Sequence, residues 1–181
     1  DIMDGALLAE MLMEGYIRQQ RHPWLPYDIL NYSEKAQYER IWNEATLNCR
    51  GLIVHDDGRI LARPYRKFFN YGEPGAPEHT LHAEVSVTDK MDGSLGILYP
   101  TRTGYALATR GSFTSDQAHH ANQVWKVKYK HWLPPIEATA LFEIIYPENR
   151  IVVDYYGKND LVLLDALDIE TGLPVPVPDW P

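Results

Sequence analysis

The sequence contains a single cysteine, Cys49, among 181 residues. One cysteine excludes an internal disulfide, and Cys49 lacks neighbouring Cys or His residues at zinc-site spacing. We therefore expect it to be a small buried apolar residue. Long apolar runs are also missing, since no stretch reaches the roughly 18 residues that a membrane-spanning helix needs, and no signal-peptide pattern opens the chain. These absences predict a cytoplasmic protein with no membrane partner.

Positive charge is in short supply as well. Seventeen Lys and Arg residues face 25 Asp and Glu residues, which gives a net charge of -8. That balance argues against a broad, nonspecific grip on nucleic acid, although it leaves room for a local basic patch. The 45% of hydrophobic residues is enough for the core of one domain. The oligomeric state stays open.

The organisation of the chain indicates one domain over residues 1–181. We divide it into an N-terminal helical and loop segment (1–50), a core (51–172) and a proline-rich end (173–181). The chain starts at Asp1 without a methionine and stops on "GLPVPVPDWP", a composition typical of an extended linker. We therefore expect a partial or minimal domain.

Helix signals occur in three places. Residues 4–17 begin with Asp4 as an N-cap and carry apolar residues at helical spacing, with an end near Gly15. Ser33 is placed to cap a short helix that includes Ile41 and Trp42. Ser115 is placed to cap a helix within residues 112–132, about five turns long without Gly or Pro. Between the first two, "RHPWLPYDILNY" predicts a loop with at most a short edge strand.

Strand signals dominate the rest. Apolar runs on both sides of Asp57-Gly58 predict a β-hairpin, because that pair tolerates positive φ. A second hairpin is expected over residues 94–109. The runs "TALFEIIY", "RIVVDYY" and "LVLLDAL" are short, rich in β-branched residues and bounded by turn residues. Without regular βαβ alternation, these elements predict an α+β fold with mixed, mostly antiparallel sheets flanked by helices.

The stretch "VTDKMDGSLGILY" places Lys90 two residues before Asp92 and Gly93. A lysine is a nucleophile only as the neutral amine, so its pKa must be lowered by burial, nearby cations or a metal ion. Asp92-Gly93 suits a tight turn at which the backbone approaches a nucleotide closely. Taken alone, the stretch is best explained by a lysine ahead of an ordinary hairpin turn.

Four other segments flank this one in a fixed order. They are "NCRGLIV" with Arg50, "ARPYRKFFNYGE" with Lys67, "ATRGSFTSDQA" with Arg110 and "ALFEIIYPENRIV" with Glu143. Together with Lys90, this set resembles the phage-type, tRNA-repair family of ATP-dependent RNA ligases, a branch of the covalent lysine nucleotidyltransferase superfamily. The resemblance covers residues 14–172. It implies a nucleotidyltransferase, or adenylation, domain.

The resemblance also implies a reaction. Lys90 is expected to attack the α-phosphorus of ATP, form a lysyl-AMP phosphoramidate and release pyrophosphate. AMP then passes to an RNA 5′-phosphate, and a 3′-hydroxyl displaces AMP to seal the strand, as in RNA or tRNA repair. The expected partners are therefore ATP and RNA with a 5′-phosphate and a 3′-hydroxyl end.

Roles for the other residues follow from the same resemblance. Arg50 and Lys67 match positions that hold the triphosphate, and Asp92 and Gly93 lie against the nucleotide. Arg110 and Glu143 match positions that contact the nucleotide sugar or the strand ends. Asp92 and Glu143 are also expected to hold waters of Mg²⁺ or Mn²⁺, since a hard ion keeps much of its hydration.

Alternatives remain at this point. Arg50 fits a surface cation at a strand start, Phe68 and Phe69 fit core and pocket wall, and Glu143 fits a residue pointing to water. The Glu-Gly-apolar and Lys-x-Lys motifs that the family carries downstream do not follow the Glu143 segment in this sequence, so self-adenylation by these residues alone is expected to be slow. The competing functions are a DNA ligase or GTP-using capping-type enzyme, and a non-catalytic nucleotide-binding remnant.

Overall fold

Two antiparallel β-sheets form the centre of the protein, which a computed structural model describes over residues 2–69, 94–145, 159–177 and 179–181. The strands in these ranges are β1 (Ile17–Arg21), β2 (Tyr27–Tyr32), β3 (Arg50–His55), β4 (Ile60–Ala62), β5 (Ser94–Pro100), β6 (Tyr105–Thr109), β7 (Ala138–Ile145) and β8 (Asp160–Asp168). The first sheet has the order β1-β2-β3-β4 and the second β6-β5-β7-β8. Every pairing of these strands is antiparallel, which confirms the predicted α+β class.

Helices cover the outer faces of the two sheets. They are α1 (Gly5–Met13), α2 (Glu34–Glu39), α3 (Glu44–Asn48) and α4 (Asp116–Val124), and α4 continues into a π-helical turn, Trp125–Tyr129. One apolar cluster lies between the sheets and joins residues such as Ile29 and Ile53 to Ile97 and Leu141. A second cluster joins α1 and α3 to the first sheet, and a third joins α4 to the second sheet. The layers therefore run helix, sheet, sheet, helix.

The predicted helix starts are confirmed by their caps. In each case a side-chain oxygen accepts a hydrogen bond from a backbone N–H of the first turn: Asp4 from Ala6, Ser33 from Ala36 and Ser115 from Ala118. Such a cap satisfies one of the donors that a helix N-terminus leaves unpaired.

Both predicted hairpins are confirmed. β3 pairs with β4 across a turn in which Gly58 has φ +93°, the left-handed conformation that Asp-Gly turns favour. β5 pairs with β6 from Gly96 opposite Thr109 to Pro100 opposite Tyr105. Cys49 is fully buried, as predicted.

The helix predicted to include Ile41 and Trp42 is shorter than expected. Arg40 adopts φ 57°, and the backbone N–H of Ile41 donates to the carbonyl of Ala36, so α2 ends at Glu39. A left-handed residue after the last turn is a common way for a helix to end. The chain then starts α3, which the sequence did not predict, and Trp42 is free to face Tyr32.

The prediction for "RHPWLPYDILNY" was wrong in its topology. β2 is not an edge strand, because it pairs with β1 on one side and β3 on the other. β1 was missed because only Ile17 of its five residues is buried, so the segment shows no apolar alternation.

α4 begins where predicted, but its last turns are π-helical and it stops at Tyr129.

The proline-rich end packs against the domain. The Trp180 ring lies 4.1 Å from that of Tyr129 and 4.9 Å from that of Phe142, and its Nε1–H donates to the Leu161 carbonyl at 3.1 Å. The predicted strand "RIVVDYY" lies outside the described residues. None of the helices in the described ranges has the length and apolar character needed to cross a membrane.

Candidate active site

Three predicted site cations, Arg50, Lys67 and Arg110, come together around the aromatic ring of Tyr32. The guanidinium carbon of Arg110 lies 4.8 Å from the ring centroid of Tyr32, and Nζ of Lys67 lies 5.9 Å from it. Arg50 is close enough to Arg110 for the charge of Arg110 to lower the pKa of Arg50. Residues from three separate segments of the chain therefore form one cluster, here named the cation cluster.

Arg110 is fixed in this cluster by contacts from the first sheet. Asn31 Nδ2 donates to the Arg110 carbonyl at 2.8 Å, and Asn31 lies opposite Arg50 in the β2–β3 pairing. Gly51, with φ +85°, allows β3 to approach closely, because a Cβ there would lie 3.3 Å from the Arg110 Cα and 2.8 Å from Ile97 Cδ1. Backbone contact between the sheets thus sets the position of Arg110 beside Arg50.

Lys67 is surrounded by aromatic rings. Its ammonium nitrogen lies 5.1 Å from the ring centroid of Phe69 and 5.6 Å from that of Trp42, in addition to Tyr32. Its backbone N–H donates to the carbonyl of Leu47 in α3 at 2.8 Å. Ring faces attract a cation without supplying a counter-charge, so the ammonium group remains available to pair with an anionic ligand.

The two neighbouring phenylalanines lie in different surroundings. Phe69 packs edge-on against Trp42, and its ring faces the Lys67 ammonium, so it is part of the aromatic surroundings of Lys67. Phe68 is 62% exposed and is not a core residue. Its ring instead lies 5.1 Å from the guanidinium carbon of Arg50.

The electrostatics of the cation cluster favour an anion. The pKa of Arg50 is lowered by burial of its guanidinium and by the nearby charge of Arg110, while Tyr32 acts in the opposite direction. Among the described residues, no carboxylate oxygen lies within 4 Å of a charged nitrogen of Arg50, Lys67 or Arg110. Partly buried like charges repel each other, and a bound anion such as a phosphate group relieves that repulsion.

Glu143 lies in the second sheet, between Leu95 on β5 and Val162 on β8. It is 6% exposed, so the alternative of a residue pointing to water is wrong. Leu141 of β7 packs in the cluster between the sheets, and side chains two residues apart share a face. Glu143 therefore faces the first sheet.

Lys90, Asp92 and Gly93 lie outside the described residues. The first described residue after them, Ser94, starts β5 and pairs with Ile144, next to Glu143. No cluster of three His, Cys, Asp or Glu side chains able to hold a metal ion occurs in the described ranges. The predicted magnesium site therefore rests on Glu143 alone in the described structure, and Asp92 remains a prediction.

Sequence reasoning missed the residues that organise the cluster: Asn31, Tyr32, Trp42 and Gly51. Gly51 follows Arg50 directly in the sequence, but nothing in a single sequence shows which ring or amide will meet this pair. Asn31 also leaves its buried Oδ1 atom without a hydrogen-bond donor among the described residues. Asn31 lines, together with Tyr32 and Arg110, a cavity of about 580 Å³ that extends along β1 to Arg18.

A family model described as "RNA ligase" matches residues 48–175, well over half of the chain. The chain belongs to the phage-type RNA ligase family. The matched range contains every site residue predicted from the sequence, from Arg50 to Glu143. Asn31 and Tyr32, which position and face the cation cluster in this RNA ligase family member, lie before it.

Curated relatives agree with this membership. An RNA ligase of Rhodothermus phage RM378 is 23% identical over an alignment of length 188 that covers 80% of this chain and 42% of that protein. RNA ligase 1 of bacteriophage TS2126 is 28% identical over an alignment of length 127 that covers 59% of this chain and 31% of that protein. A relative from Thermovibrio ammonificans is 29% identical over an alignment of length 124 that covers 64% of this chain and 32% of that protein. The chain spans less than half the length of these relatives.

Proposed function

We propose that this chain carries the adenylation chemistry of an ATP-dependent RNA ligase. The observation that carries the proposal is the cation cluster of Arg50, Lys67 and Arg110. Three cations from separate segments share one partly buried site and have no carboxylate partner among the described residues. Such a site suits a polyphosphate, and family membership makes ATP the best candidate.

In the proposed first step, the neutral amine of Lys90 attacks the α-phosphorus of ATP. A P–N bond forms, the bond to the bridging oxygen breaks, and pyrophosphate leaves with that electron pair, while the Lys90 nitrogen gives up one proton to solvent. Arg50 and Lys67 would hold the phosphates, offset the charge of the leaving group and disfavour the ammonium form of Lys90. Gly93 would allow the backbone to approach the nucleotide, and Glu143 would accept hydrogen bonds from ribose hydroxyls.

The next two steps also take place at phosphorus. An oxygen of the RNA 5′-phosphate attacks the lysyl-AMP and releases the Lys90 amine, which gives an adenylated RNA end. The 3′-hydroxyl of the other end then attacks the 5′-phosphorus, loses its proton and displaces AMP, so that a phosphodiester forms. Arg110 would contact the nucleotide sugar or the strand ends. A role in RNA or tRNA repair, in the cytoplasm, completes the proposal.

A divalent ion fits this reaction because phosphate charge accumulates at the site. When bound, Mg²⁺ or Mn²⁺ supplies further charge neutralisation at the phosphates. Glu143, and Asp92 with it, would hold the ion through its water ligands. Glu143 is buried beside the start of β5, which is consistent with a role inside the site.

The proposal is tested by incubating the full-length protein with α-labelled ATP or GTP and Mg²⁺, followed by denaturing electrophoresis. An RNA ligase is supported if ATP labels the wild type, if the label is lost in Lys90→Ala, and if it is kept in Lys130→Ala, a control at an exposed lysine. Label from GTP alone indicates a capping-type enzyme. No label from either nucleotide, with no sealing of a preadenylated RNA, contradicts the proposal and favours a non-catalytic nucleotide-binding protein.

A further inference from the structure

A second groove lies on the far side of the loop that follows Arg110. It has a volume of about 670 Å³, and its lining includes Trp24, Arg102, Phe113, His119 and Lys126. The walls come from the β1–β2 connection, the β5–β6 turn and α4. Two of the motifs used to predict the function reach its wall, at Tyr99 and Phe113, whereas Trp24, Arg102, His119 and Lys126 lie in none of them. We name it the Trp24 groove.

Trp24 is presented to solvent on a fixed support. Its side chain is 79% exposed, which is unusual for the largest apolar residue. The backbone N–H groups of Trp24 and Leu25 donate to Nδ1 of His22 at 3.2 and 3.0 Å, and His22 Nε2 lies 3.2 Å from the Tyr99 hydroxyl. His22 itself is buried. Because the connection is held in place, a ligand that stacks on the indole would lose little further chain entropy.

The charges of the groove favour an anionic partner. Arg102, His119 and Lys126 are exposed and line it, together with one carboxylate, Asp116. Neither Arg102 nor Lys126 forms an ion pair within 4 Å in the described part of the chain. In a chain with net charge -8, basic residues gathered around an exposed aromatic ring form a local patch of the opposite sign. Aromatic platforms between cations are typical of single-stranded nucleic acid sites.

The Trp24 groove lies next to the cation cluster. Arg110 and Gly111 line the 580 Å³ cavity, and Phe113 and Thr114 line the Trp24 groove, so the two depressions flank one short loop. β1 lines the first depression from Arg18 to Gln20, and it ends at Arg21, directly before His22, which lines the second. The five residues of β1 span ~17 Å. A single-stranded nucleic acid could therefore run along β1 from the cation cluster to Trp24.

We propose that the Trp24 groove binds a single-stranded segment of the RNA substrate close to the ends that are joined. One base stacks on the Trp24 indole, and Arg102 and Lys126 contact the flanking phosphates. This inference rests on the proposed RNA ligase function, whose site it extends. Stacking and phosphate contacts read no base edges, so binding is expected to tolerate any sequence.

Binding of a labelled single-stranded RNA of about 12 nucleotides, measured by fluorescence anisotropy on the full-length protein, tests the inference. Trp24→Ala is expected to weaken binding at least fivefold, while Trp24→Phe keeps a stacking ring and restores most of the affinity. Tyr38→Ala removes an equally exposed ring on α2 and should leave binding unchanged, since Tyr38 is 89% exposed and lies outside the groove. The unfolding curve of each variant is compared with that of the wild type, so that a variant that is partly unfolded at the temperature of the binding measurement is not used.

A salt titration adds an independent readout. Lys126→Ala is expected to lower the slope of log affinity against log salt by about 0.7, the value for one phosphate contact to a single strand. Lys130→Ala, in the same helical region but outside the groove, should keep the wild-type slope. Unchanged RNA affinity in Trp24→Ala, a Trp24→Phe variant as weak as Trp24→Ala, or no RNA binding by the wild type overturns the inference.

Wild-type labelling with ATP separates this inference from the proposed function. If ATP labels the wild type but RNA binding does not depend on Trp24, the proposed RNA-binding role of the groove is wrong and the ligase proposal stands. Trp24-dependent RNA binding without labelling or sealing supports the groove and contradicts the ligase proposal.

Discussion

The side-chain amide of Asn31 holds the backbone carbonyl of Arg110 at 2.8 Å. This hydrogen bond runs from β2 in the first sheet to the residue that follows β6 in the second sheet. It therefore links the sheet that carries Arg50 to Arg110. It explains how a residue outside the sequence motifs contributes to the site: Asn31 acts as a positioning residue through Arg110. The contacts described above lead us to expect specific changes in the stability of the fold, in the accessibility of Cys49 and in the use of ATP.

Asn31→Ala should weaken ATP use without unfolding the protein. Loss of one hydrogen bond of about 1 kcal/mol frees Arg110 and raises the KM for ATP in self-adenylation roughly fivefold. Gln37→Ala, an exposed polar change on α2, is the matched control and should keep the wild-type KM. An Asn31→Ala enzyme whose only defect is a lower melting temperature would show that the contact is purely structural.

Gly51→Ala should destabilise the fold more than Gly58→Ala. Both glycines have positive φ, +85° and +93°, and so carry the same conformational penalty of about 1–2 kcal/mol for a side chain. Only at Gly51 does the new Cβ meet neighbours, Ile97 Cδ1 at 2.8 Å and the Arg110 Cα at 3.3 Å. Crowding adds about 1–3 kcal/mol, which urea unfolding of the two variants measures directly. Equal losses would mean that the sheets do not approach closely here.

His22 should make stability depend on pH. Burial lowers its pKa below 6.5, the value expected when the chain is unfolded, because desolvation disfavours the charged ring. Nδ1 of the ring also accepts the backbone N–H groups of Trp24 and Leu25. The unfolded state therefore binds the proton more readily, so the stabilisation is complete above about pH 6.5 and is lost as pH falls towards the lower folded pKa. Urea midpoints above and below this pH should differ less in His22→Asn, which keeps an acceptor, than in the wild type. His119→Asn, an exposed change, should keep the wild-type pH dependence.

Cys49 should resist alkylation in the native protein. It is fully buried, and burial raises the pKa of its thiol to about 12, so the reactive thiolate is scarce. Iodoacetamide is expected to leave the native mass unchanged and to add one group in urea, since the chain has one cysteine. Rapid modification without denaturant would place Cys49 outside the core.

The parts of the fold that follow from local chemistry were predictable from the sequence. Asp4, Ser33 and Ser115 cap helices because their oxygens suit free N–H groups, and Asp57-Gly58 turns because glycine tolerates positive φ. β1 was not predictable in this way, since a polar edge strand lacks the alternation that reveals a half-buried one.

The candidate site was predictable as a list of cations but not as an arrangement. Order along the chain indicated Arg50, Lys67 and Arg110, whereas their meeting around Tyr32 depends on pairing between distant strands. Trp42 joins them only because α2 ends early at Arg40, a detail set by tertiary packing rather than by local sequence. Trp24 carries no motif, and its exposure becomes visible only in the fold.

We propose that the cation cluster delivers ATP to Lys90. This role is tested by the intact mass of the full-length protein after incubation with ATP and Mg²⁺, followed by peptide mapping of the modified residue. We expect a gain of one AMP, bound to Lys90 through an acid-labile phosphoramidate, and a strong reduction in Lys67→Ala but not in Lys130→Ala. Modification at a different residue, or full adenylation of Lys90 in Arg50→Ala and Lys67→Ala alike, would contradict it.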